Sequence, residues 1–427
     1  MGFAERRDVA RPATGEAPFR IGEHFFVRTD GQGIIRVGSY VLHRVSGYDW
    51  NELIGAPQRI LRHPDMPAGV FRLLCNALEQ GRPAGAYVRN LAKDGLHFWT
   101  FAVVMPVDGG FLSVHIKPCV GNLEWIAAIY DAMRAAEADG GMTPGESAEM
   151  LLRRIDEVHG QKDYAAFAGD ALVHELIAQD RQLHRPPDKR IAQFRRITSA
   201  ARGMLQETHA LFREFGAIST VPANMRIIAS RLESSGGAIT ALSQNYWAMS
   251  EEMSNWFRKF VTDSGKDFSA LEDTLSECRF QVCAARLVSE AAELFSRERR
   301  RLGSVDVAQE KQKLAGLAQK QVRKAMAGLQ GIVDEAGRVS AAVTTMRRYT
   351  LGLGSTRVMC NIESARLPQG GETLSNIIDQ LDGFQRSVEQ QLTRIEDLCR
   401  DVRFGAEMLG AKTACLPTCL PADWPNA

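Results

Sequence analysis

The fold of this chain is decided by the hexapeptide Arg62-His63-Pro64-Asp65-Met66-Pro67. Each proline biases the residue before it away from the helical region, so we expect extended conformations at His63 and Met66. Asp65 can hydrogen-bond its own backbone in such a turn. Pro67 suits the first turn of a helix, expected over residues 67–80, whose apolar face is Val70, Leu73, Leu74, Ala77 and Leu78. The hexapeptide therefore predicts a surface loop whose charged groups face either a ligand or only solvent.

Short β-rich runs lie on both sides of this loop. Five strands are expected, over residues 24–29, 33–37, 84–91, 96–107 and 111–117. Gly, Asp and Pro mark the turns, at Asp30-Gly31-Gln32-Gly33, Gly81-Arg82-Pro83, Lys93-Asp94-Gly95 and Asp108-Gly109-Gly110. Short helical pieces fall between the second and third strands, so the pattern indicates an α+β fold.

Several short motifs, taken in chain order, resemble the PAS domain of Aer-type aerotaxis and energy-taxis receptors. They are Arg44-Val45-Ser46-Gly47-Tyr48, Glu52-Leu53-Ile54-Gly55, Arg62 to Pro67, Tyr87-Val88-Arg89-Asn90, Lys93-Asp94-Gly95, Trp99 and Gly110 to Pro118. The similarity covers roughly residues 20 to 120, about a quarter of the chain. It implies a PAS sensor domain over residues 19–119, with a five-stranded antiparallel sheet and helices on one face.

The resemblance also implies a planar cofactor between the sheet and the middle helices. In Aer-type domains this ligand is FAD, held partly by the Arg-His-Pro-Asp loop, which nominates Arg62, His63 and Asp65. The other expected contacts are Ser39, Tyr87, Asn90 and Trp99. A guanidinium offers fixed bidentate donors, so Arg62 suits a diphosphate.

This chain departs from the family pattern at two places. Ser39 stands where the family often has Asn, and Ala84 stands where the best-studied flavin-binding member has Trp. Trp99 lies in a neighbouring strand and can instead pack the core. Haem is a second cofactor hypothesis, with His43, His63, His97 or His115 as axial ligand. A domain without any cofactor is the third.

Composition bounds the partners and the compartment. The 427 residues suggest two to three domains, and a formal net charge of +1 gives no reason to expect nucleic acid or anionic membrane as a partner. We find no apolar window of about 18 residues, so no membrane span is expected. The eight cysteines lack zinc-type pairing and are expected to be reduced, as in a cytoplasmic protein. A metal or redox role for Cys415 and Cys419 is the alternative.

Long helices are expected after Leu123. Trp125, Ile126, Ile129, Tyr130 and Met133 recur at helical spacing directly after the last strand, as an output helix would. A second helical pattern runs over 146–183 and stops at Pro186-Pro187. The expected segments are a flexible N-terminal tail (1–18), helical linker and output helices (120–187), a helical bundle (188–412) and a flexible C-terminal tail (413–427).

The expected bundle contains an internal repeat. Residues 231–237 (Arg-Leu-Glu-Ser-Ser-Gly-Gly) and 366–371 (Arg-Leu-Pro-Gln-Gly-Gly) share an order, and each precedes an amphipathic helix. In the first helix one face carries Tyr246, Met249, Met253, Trp256, Phe257 and Phe260. In the second, a heptad seam carries Leu374, Leu381, Val388, Ile395 and Val402, with Ile377, Phe384 and Leu398 three positions on. Two antiparallel hairpins in one bundle are therefore predicted.

The tip of the first hairpin is also similar to that of methyl-accepting chemotaxis receptors, through Asn224, Arg231 and Gly236-Gly237. The alternative is that these residues only build a turn. A dimer through the bundle is expected, although two hairpins could close four helices within one chain.

The sequence contains no catalytic constellation that we recognise, so an enzyme is not expected. The leading hypothesis is a soluble sensory signal-transduction protein for redox, oxygen or energy sensing linked to chemotaxis. Its partners would be a second copy and chemotaxis signalling proteins. The competing hypothesis is a scaffold that uses its PAS domain and helices only for assembly.

Overall fold

The computed structural model describes residues 11–119, 121–138, 140–161, 163–218, 227, 237–263, 268–298, 304–365 and 371–414. These residues form two compact units. The first unit contains the described residues up to Ala192 together with Ser276–Gly328, and the second contains Gln193–Leu275 and those from Leu329 on. Residues 276–328 thus belong with the sheet, whereas the sequence had suggested one continuous bundle over 188–412.

The first unit is built on a five-stranded antiparallel sheet. Its strands are β1 (His24–Asp30), β2 (Ile35–Gly38), β3 (Ala84–Leu91), β4 (His97–Val107) and β5 (Gly110–Ile116), in the order β2-β1-β5-β4-β3. Between β2 and β3 lie α1 (Tyr40–Ser46), α2 (Trp50–Leu53), a 3₁₀ turn (Gln58–Leu61) and α3 (Ala68–Glu79). The expected α+β fold, with its helices between the second and third strands, is confirmed.

The remaining helices follow the sheet in chain order. They are α4 (Asn122–Ala138), α5 (Pro144–His159), α6 (Tyr164–Gln182), α7 (Lys189–Ile218), α8 (Ala238–Asp263), α9 (Phe268–Arg297), α10 (Val307–Ala365) and α11 (Gly371–Ala414). The single helical pattern predicted over 146–183 is two helices. Gly160 ends the first of them, because its left-handed backbone (φ 64°) lets its N–H reach the carbonyl of Asp156.

Strand alternation gives the sheet two buried faces. On the inner face, Phe25 and Val27 pack with residues of the helices between β2 and β3, namely Leu42, Val45, Leu53 and Leu61. On the outer face, Phe26 packs its ring edge-on to Phe295 of α9, with ring centroids 5.0 Å apart. The sheet is therefore sandwiched between two helical layers of the first unit.

The second unit contains α7, α8, the distal part of α10 and α11. Helix α11 runs antiparallel to α7, because Gly405 lies against Ile197 and Gly203 lies against Leu398. It also runs antiparallel to α10, because Arg347 pairs with Glu396 at 2.6 Å while Arg357 pairs with Asp382. Tyr349 of α10 donates its hydroxyl to Glu252 of α8 at 3.2 Å.

The heptad seam predicted on α11 is buried inside this unit. Among its described members, Leu381, Val388, Ile395 and Val402 are each at most 1% exposed, whereas Phe384 and Leu398, three positions on, are only partly buried. These four residues are therefore covered by helices of the same chain. The side chains of Trp256, Phe257, Phe260, Leu374 and Ile377 lie outside the described residues, as do Asn224, Arg231, Gly236 and the pair Cys415 and Cys419.

Candidate functional site

The loop from Arg62 to Met66 is held along the edge strand β3. Arg62 and Asn90 form an antiparallel backbone bridge. The backbone N–H of His63 donates to the carbonyl of Arg89 at 3.4 Å, and the N–H of Arg89 donates to the sulfur of Met66 at 3.2 Å. The loop is thus fixed by β3 before α3 begins.

The charged side chains of the loop find partners at the same edge. Arg89 donates from Nη1 to the Asp65 carboxylate at 3.2 Å. The Nδ1 atom of His63 accepts from the backbone N–H of Asp65 at 3.2 Å, which places the proton of a neutral ring on Nε2. Burial, and then the nearby Arg89, lower the pKa of His63 below its usual value. The guanidinium of Arg62 lies 3.4 Å from the ring centroid of Phe71 on α3.

A line of hydrogen-bonding side chains crosses the otherwise apolar inner face. Asn90 donates its amide to Thr100 Oγ1 at 3.1 Å, and Thr100 Oγ1 lies 3.2 Å from His115 Nδ1. The other ring nitrogen of His115 lies 3.1 Å from Ser113 Oγ, which accepts from the Gln58 amide at 3.0 Å. The line therefore runs from β3 through β4 and β5 to the 3₁₀ turn.

His115 lies at the centre of this line. Its ring stacks on Phe25 of β1, with centroids 4.4 Å apart and planes 9° from parallel. Burial lowers the pKa of His115 to about 3, so the ring is neutral at physiological pH. Because Thr100 and Ser113 engage both ring nitrogens, neither is presented as a free axial ligand.

One buried hydroxyl on the inner face has an open hydrogen-bonding position. Thr29 of β1 is 2% exposed, and its Oγ1 has no hydrogen-bond partner among the described residues. A buried hydroxyl without a partner costs free energy, so it marks a place where a ligand atom would be accepted.

Only some of the site residues that were predicted from the sequence lie close to one another in the structure. Arg62, His63, Asp65 and Asn90 meet at the β3 edge, and Asn90 also reaches the inner face. Ser39 lies apart from them at the start of α1, where its buried hydroxyl accepts from the N–H of Phe26 at 3.3 Å.

The structure places Tyr87 and Trp99 on the outer face. Tyr87 donates its hydroxyl to Glu175 of α6 at 2.8 Å, and the Trp99 ring lies 6.2 Å from that of Tyr130 on α4. The reason is strand parity, since Tyr87 and Trp99 point away from the side of Asn90 and Thr100.

Sequence reasoning missed four inner-face residues. They are Thr29, Gln58, Thr100 and Ser113. His115 was considered only as a haem ligand, although it shares parity with Ser113 on the predicted strand. Alternation along the strands was the signal that could have found the three strand residues.

Two further haem candidates are engaged elsewhere. The His43 ring stacks on Tyr40 at 5.7 Å and lies 5.0 Å from Trp50. The His97 ring lies 6.3 Å from that of His63 at the β3 edge. Among the residues that the structure describes, no three His, Cys, Asp or Glu are grouped to hold a metal ion.

The outer face of β1 is linked to three helices of the first unit. His24 Nε2 lies 3.3 Å from the amide oxygen of Gln179 on α6, and Phe26 packs on Phe295 of α9. Arg28 pairs with Glu310 of α10 through two hydrogen bonds of 2.7 and 3.1 Å. Along β1, residues that pack on the inner face, such as Phe25 on His115, therefore alternate with residues that contact the outer helices.

A buried ion cluster lies beside these contacts. Arg286 of α9 donates to both carboxylate oxygens of Asp180 on α6, at 2.8 and 2.5 Å, and to Glu290 at 2.7 Å. Burial opposes the charge of Arg286, but the hydrogen bonds to Asp180 and the charge of Glu290 leave its pKa raised. His24 lies 3.6 Å from Glu290, and burial lowers the pKa of His24. The cluster joins α6 and α9 against β1.

These features define a PAS domain. Residues 39–114 match a family model described as PAS fold. The aerotaxis receptor of Escherichia coli (strain K12) is 32% identical over 112 residues, which are 25% of this chain and 22% of the receptor. The chain thus matches about a fifth of that relative's length, within the region of the PAS domain.

Two solved structures are similar to part of this chain. The PAS domain of a Colwellia psychrerythraea protein is 23% identical, with 22% of this chain and 85% of that chain covered and a TM-score of 0.21. The LOV domain of the blue-light photoreceptor Aureochrome1 in its light state is also 23% identical, with 24% and 88% covered and a TM-score of 0.22. No helix in the described part of the chain combines the length and apolarity needed to cross a membrane.

Proposed function

We propose that this protein is a signal transducer in which the inner face of the PAS sheet senses a cofactor state and the outer face passes the change to helices. The observation that carries this proposal is the alternation along β1. Phe25 stacks on His115 inside, while its neighbours His24 and Phe26 contact α6 and α9 outside. A displacement of Phe25 would therefore also move His24 and Phe26, which contact the outer helices directly.

FAD is the cofactor that we propose. The amides of Asn90 and Gln58 and the open hydroxyl of Thr29 suit the polar edge of a heterocycle. Arg62, exposed beside Phe71, suits a diphosphate. When bound, FAD would supply a redox-dependent change in charge and hydrogen bonding. The engaged nitrogens of His115 make haem the weaker alternative.

The chain's own residues determine how such a change spreads. A ligand shifts a conformational equilibrium only by its difference in affinity for the two states. Here the two states would differ in whether Phe25 lies on His115, and the ion cluster of Arg286 would resist movement of α6 against α9. The ion cluster would thus contribute to the free energy that a change in cofactor state must supply to move α6 against α9.

Energy or oxygen sensing in chemotaxis is the pathway class that we propose. The support is the similarity to an aerotaxis receptor over the PAS region. The partners would be chemotaxis signalling proteins, and no catalytic role is proposed. One observation favours a scaffold instead: the Phe25 ring already occupies the face of His115, as it would in a filled cavity.

A homodimer is proposed through an exposed seam on the distal part of α10. Leu351, Val358 and Ile362 are 73%, 49% and 50% exposed, and with Ser355 they follow the four-three-four spacing of a heptad. This spacing fits a helical partner. The flanking positions, Gly352, Gly354, Met359 and Asn361, carry no charge, so a second copy can pair here without like-charge repulsion.

The absorption spectrum of the purified full chain tests the sensor proposal. Flavin bands that bleach on reduction, with flavin released on denaturation, are expected. A colourless preparation from flavin-replete cells, with no flavin released, would remove FAD and favour the scaffold. A Soret band would put haem in its place.

A further inference from the structure

A groove of about 320 Å³ lies on the outer face, away from the line of polar residues described above. One wall is the β4–β5 hairpin, with Pro106, Val107 and Leu112. The other is the first part of α10, with Leu314 and Leu317. This volume falls within the range of about 300–1,000 Å³ typical of small-molecule sites.

The charges around the groove do not cancel. Glu310 is only 3% exposed and is neutralised by its bidentate pair with Arg28. Two lysines, Lys313 and Lys320, line the groove one heptad apart on α10, and Asp108 lies on the hairpin side. Lys313 Nζ also lies 3.7 Å from Glu310, so Arg28, Lys313 and Lys320 together face only two carboxylates, those of Glu310 and Asp108. The groove therefore keeps a net positive charge beside an apolar floor.

Gly316 of α10 lines the groove and has open space beside it. It lies between the two lysines, and a Cβ atom there would meet nothing within 4 Å. A single larger side chain at residue 316 would therefore have room to extend over the groove and block it.

We propose that this groove binds a small monoanion with an apolar body, such as an aliphatic carboxylate. The apolar part would lie on Leu112, Leu314 and Leu317, and the carboxylate would face Lys313 and Lys320. The site is independent of the proposed FAD site, because Arg28 and Leu112 lie on the opposite face of the sheet and the other wall is α10. The first unit would then have a second ligand-binding site, in addition to the proposed FAD site.

Titration of the full chain with decanoate, and with decanol as its neutral counterpart, tests the site by calorimetry. Decanoate should bind more tightly than decanol. Combined Lys313→Glu and Lys320→Glu should weaken decanoate roughly tenfold and leave decanol unchanged, since each exposed pairing contributes up to about 1 kcal/mol. Lys324→Glu, the same change on the same helix but outside the groove lining, should alter neither.

A blocking variant locates the binding. Gly316→Trp should abolish the binding of both probes, whereas Gly316→Ala should keep it, with circular dichroism checking that both variants fold. The site is overturned if decanoate does not bind, if the tryptophan variant folds and still binds, or if Lys324→Glu weakens decanoate as much as the double variant. None of these readouts depends on flavin, so failure of the FAD proposal leaves the test intact.

Discussion

The hydroxyl of Tyr87 on β3 donates a 2.8 Å hydrogen bond to the carboxylate of Glu175 on α6. The other oxygen of Glu175 accepts from the backbone N–H of Cys119 at 2.5 Å, just beyond the end of β5. Burial and then Glu175 raise the pKa of Tyr87, and the same two causes raise the pKa of Cys119 to about 12. One fully buried carboxylate thus connects two strands to an outer helix.

Replacing Tyr87 by Phe should lower the free energy of unfolding by about 1–3 kcal/mol, because the buried carboxylate of Glu175 loses a donor. Tyr246→Phe is the matched control. Its hydroxyl is buried without a hydrogen-bond partner among the described residues, so its removal should be neutral or stabilising. Urea denaturation measures both, and equal losses would contradict the assigned role of Glu175.

Replacing Arg286 by Met should cost about 3–5 kcal/mol, since it leaves the buried carboxylate of Asp180 and the partly buried carboxylate of Glu290 without their main partner. Arg154→Met breaks an ion pair with Glu157 whose side chains are 57% and 59% exposed, and should cost less than about 1 kcal/mol. Adding Asp180→Leu to Arg286→Met should recover part of the loss. No recovery would indicate that packing, and not the uncompensated charge, accounts for it.

Stability should fall in mild acid because His115 is buried in its neutral form. Its pKa is about 3 in the folded protein, against about 6.5 in an unfolded chain, so the unfolded state takes up the proton first. The stabilisation is complete above about pH 6.5 and is lost as the pH falls towards 3. Between pH 7 and pH 5 the loss from this one group is about 2 kcal/mol.

Denaturation of the wild type and of His115→Gln at both pH values isolates this effect. His24, His43, His63 and His97 also have lowered pKa values, but they are present in both proteins and their contributions cancel. The variant should lose about 2 kcal/mol less on acidification. An identical loss in the two proteins would show that His115 is not the titrating group.

Flavin occupancy should depend on the loop at the β3 edge. Arg62→Ala removes the proposed diphosphate partner, and Asp65→Ala frees Arg89 and loosens the loop. Arg59→Ala is the control, since Arg59 is an exposed arginine three residues away, and His184→Ala is a second, distant one. Flavin released per protein on denaturation should fall in the first two variants only. A parallel fall in the Arg59 variant would argue against a specific contact.

The sequence predicted the sheet because its signals are local. Turn residues such as Asp94-Gly95 and Asp108-Gly109 mark where β4 begins and ends, and Pro67 marks the start of α3. The site residues were predicted less well than the sheet, because the resemblance nominated Tyr87 and Trp99 without regard to the face of the sheet on which they lie. Counting alternate residues from Asn90 would have placed Tyr87 on the other face, and Trp99 follows once Asn90 is paired with Phe98 of β4.

The coverage of the outer face could not be predicted from helical patterns. The pattern of an amphipathic helix predicts that one side is buried, but it does not identify the element that buries it. The patterns of α9 and of the start of α10 therefore did not predict that these helices pack on the sheet. One indirect signal was present. Apart from Thr100, the run from Phe98 to Met105 is apolar at both odd and even positions of β4, as in strands covered on both faces.

The last prediction concerns the exposed seam of α10. Leu351→Glu combined with Val358→Glu should convert a dimer of the full chain into a monomer, because both residues would face an apolar partner helix. Phe404→Glu is the matched control, as Phe404 is 61% exposed but lies on α11, outside the seam. Light scattering at tens of micromolar protein measures the mass.

Leu381, Val388, Ile395 and Val402 of the α11 seam are already buried within the chain, so these residues do not need a second copy to cover them. Among the described residues, Leu351, Val358 and Ile362 of α10 are exposed apolar residues at heptad spacing, and we therefore propose them as the dimer interface. A wild-type monomer at that concentration would end the dimer proposal and leave the intramolecular bundle as the complete assembly. A dimer that survives the double variant but dissociates with Phe404→Glu would move the interface to α11.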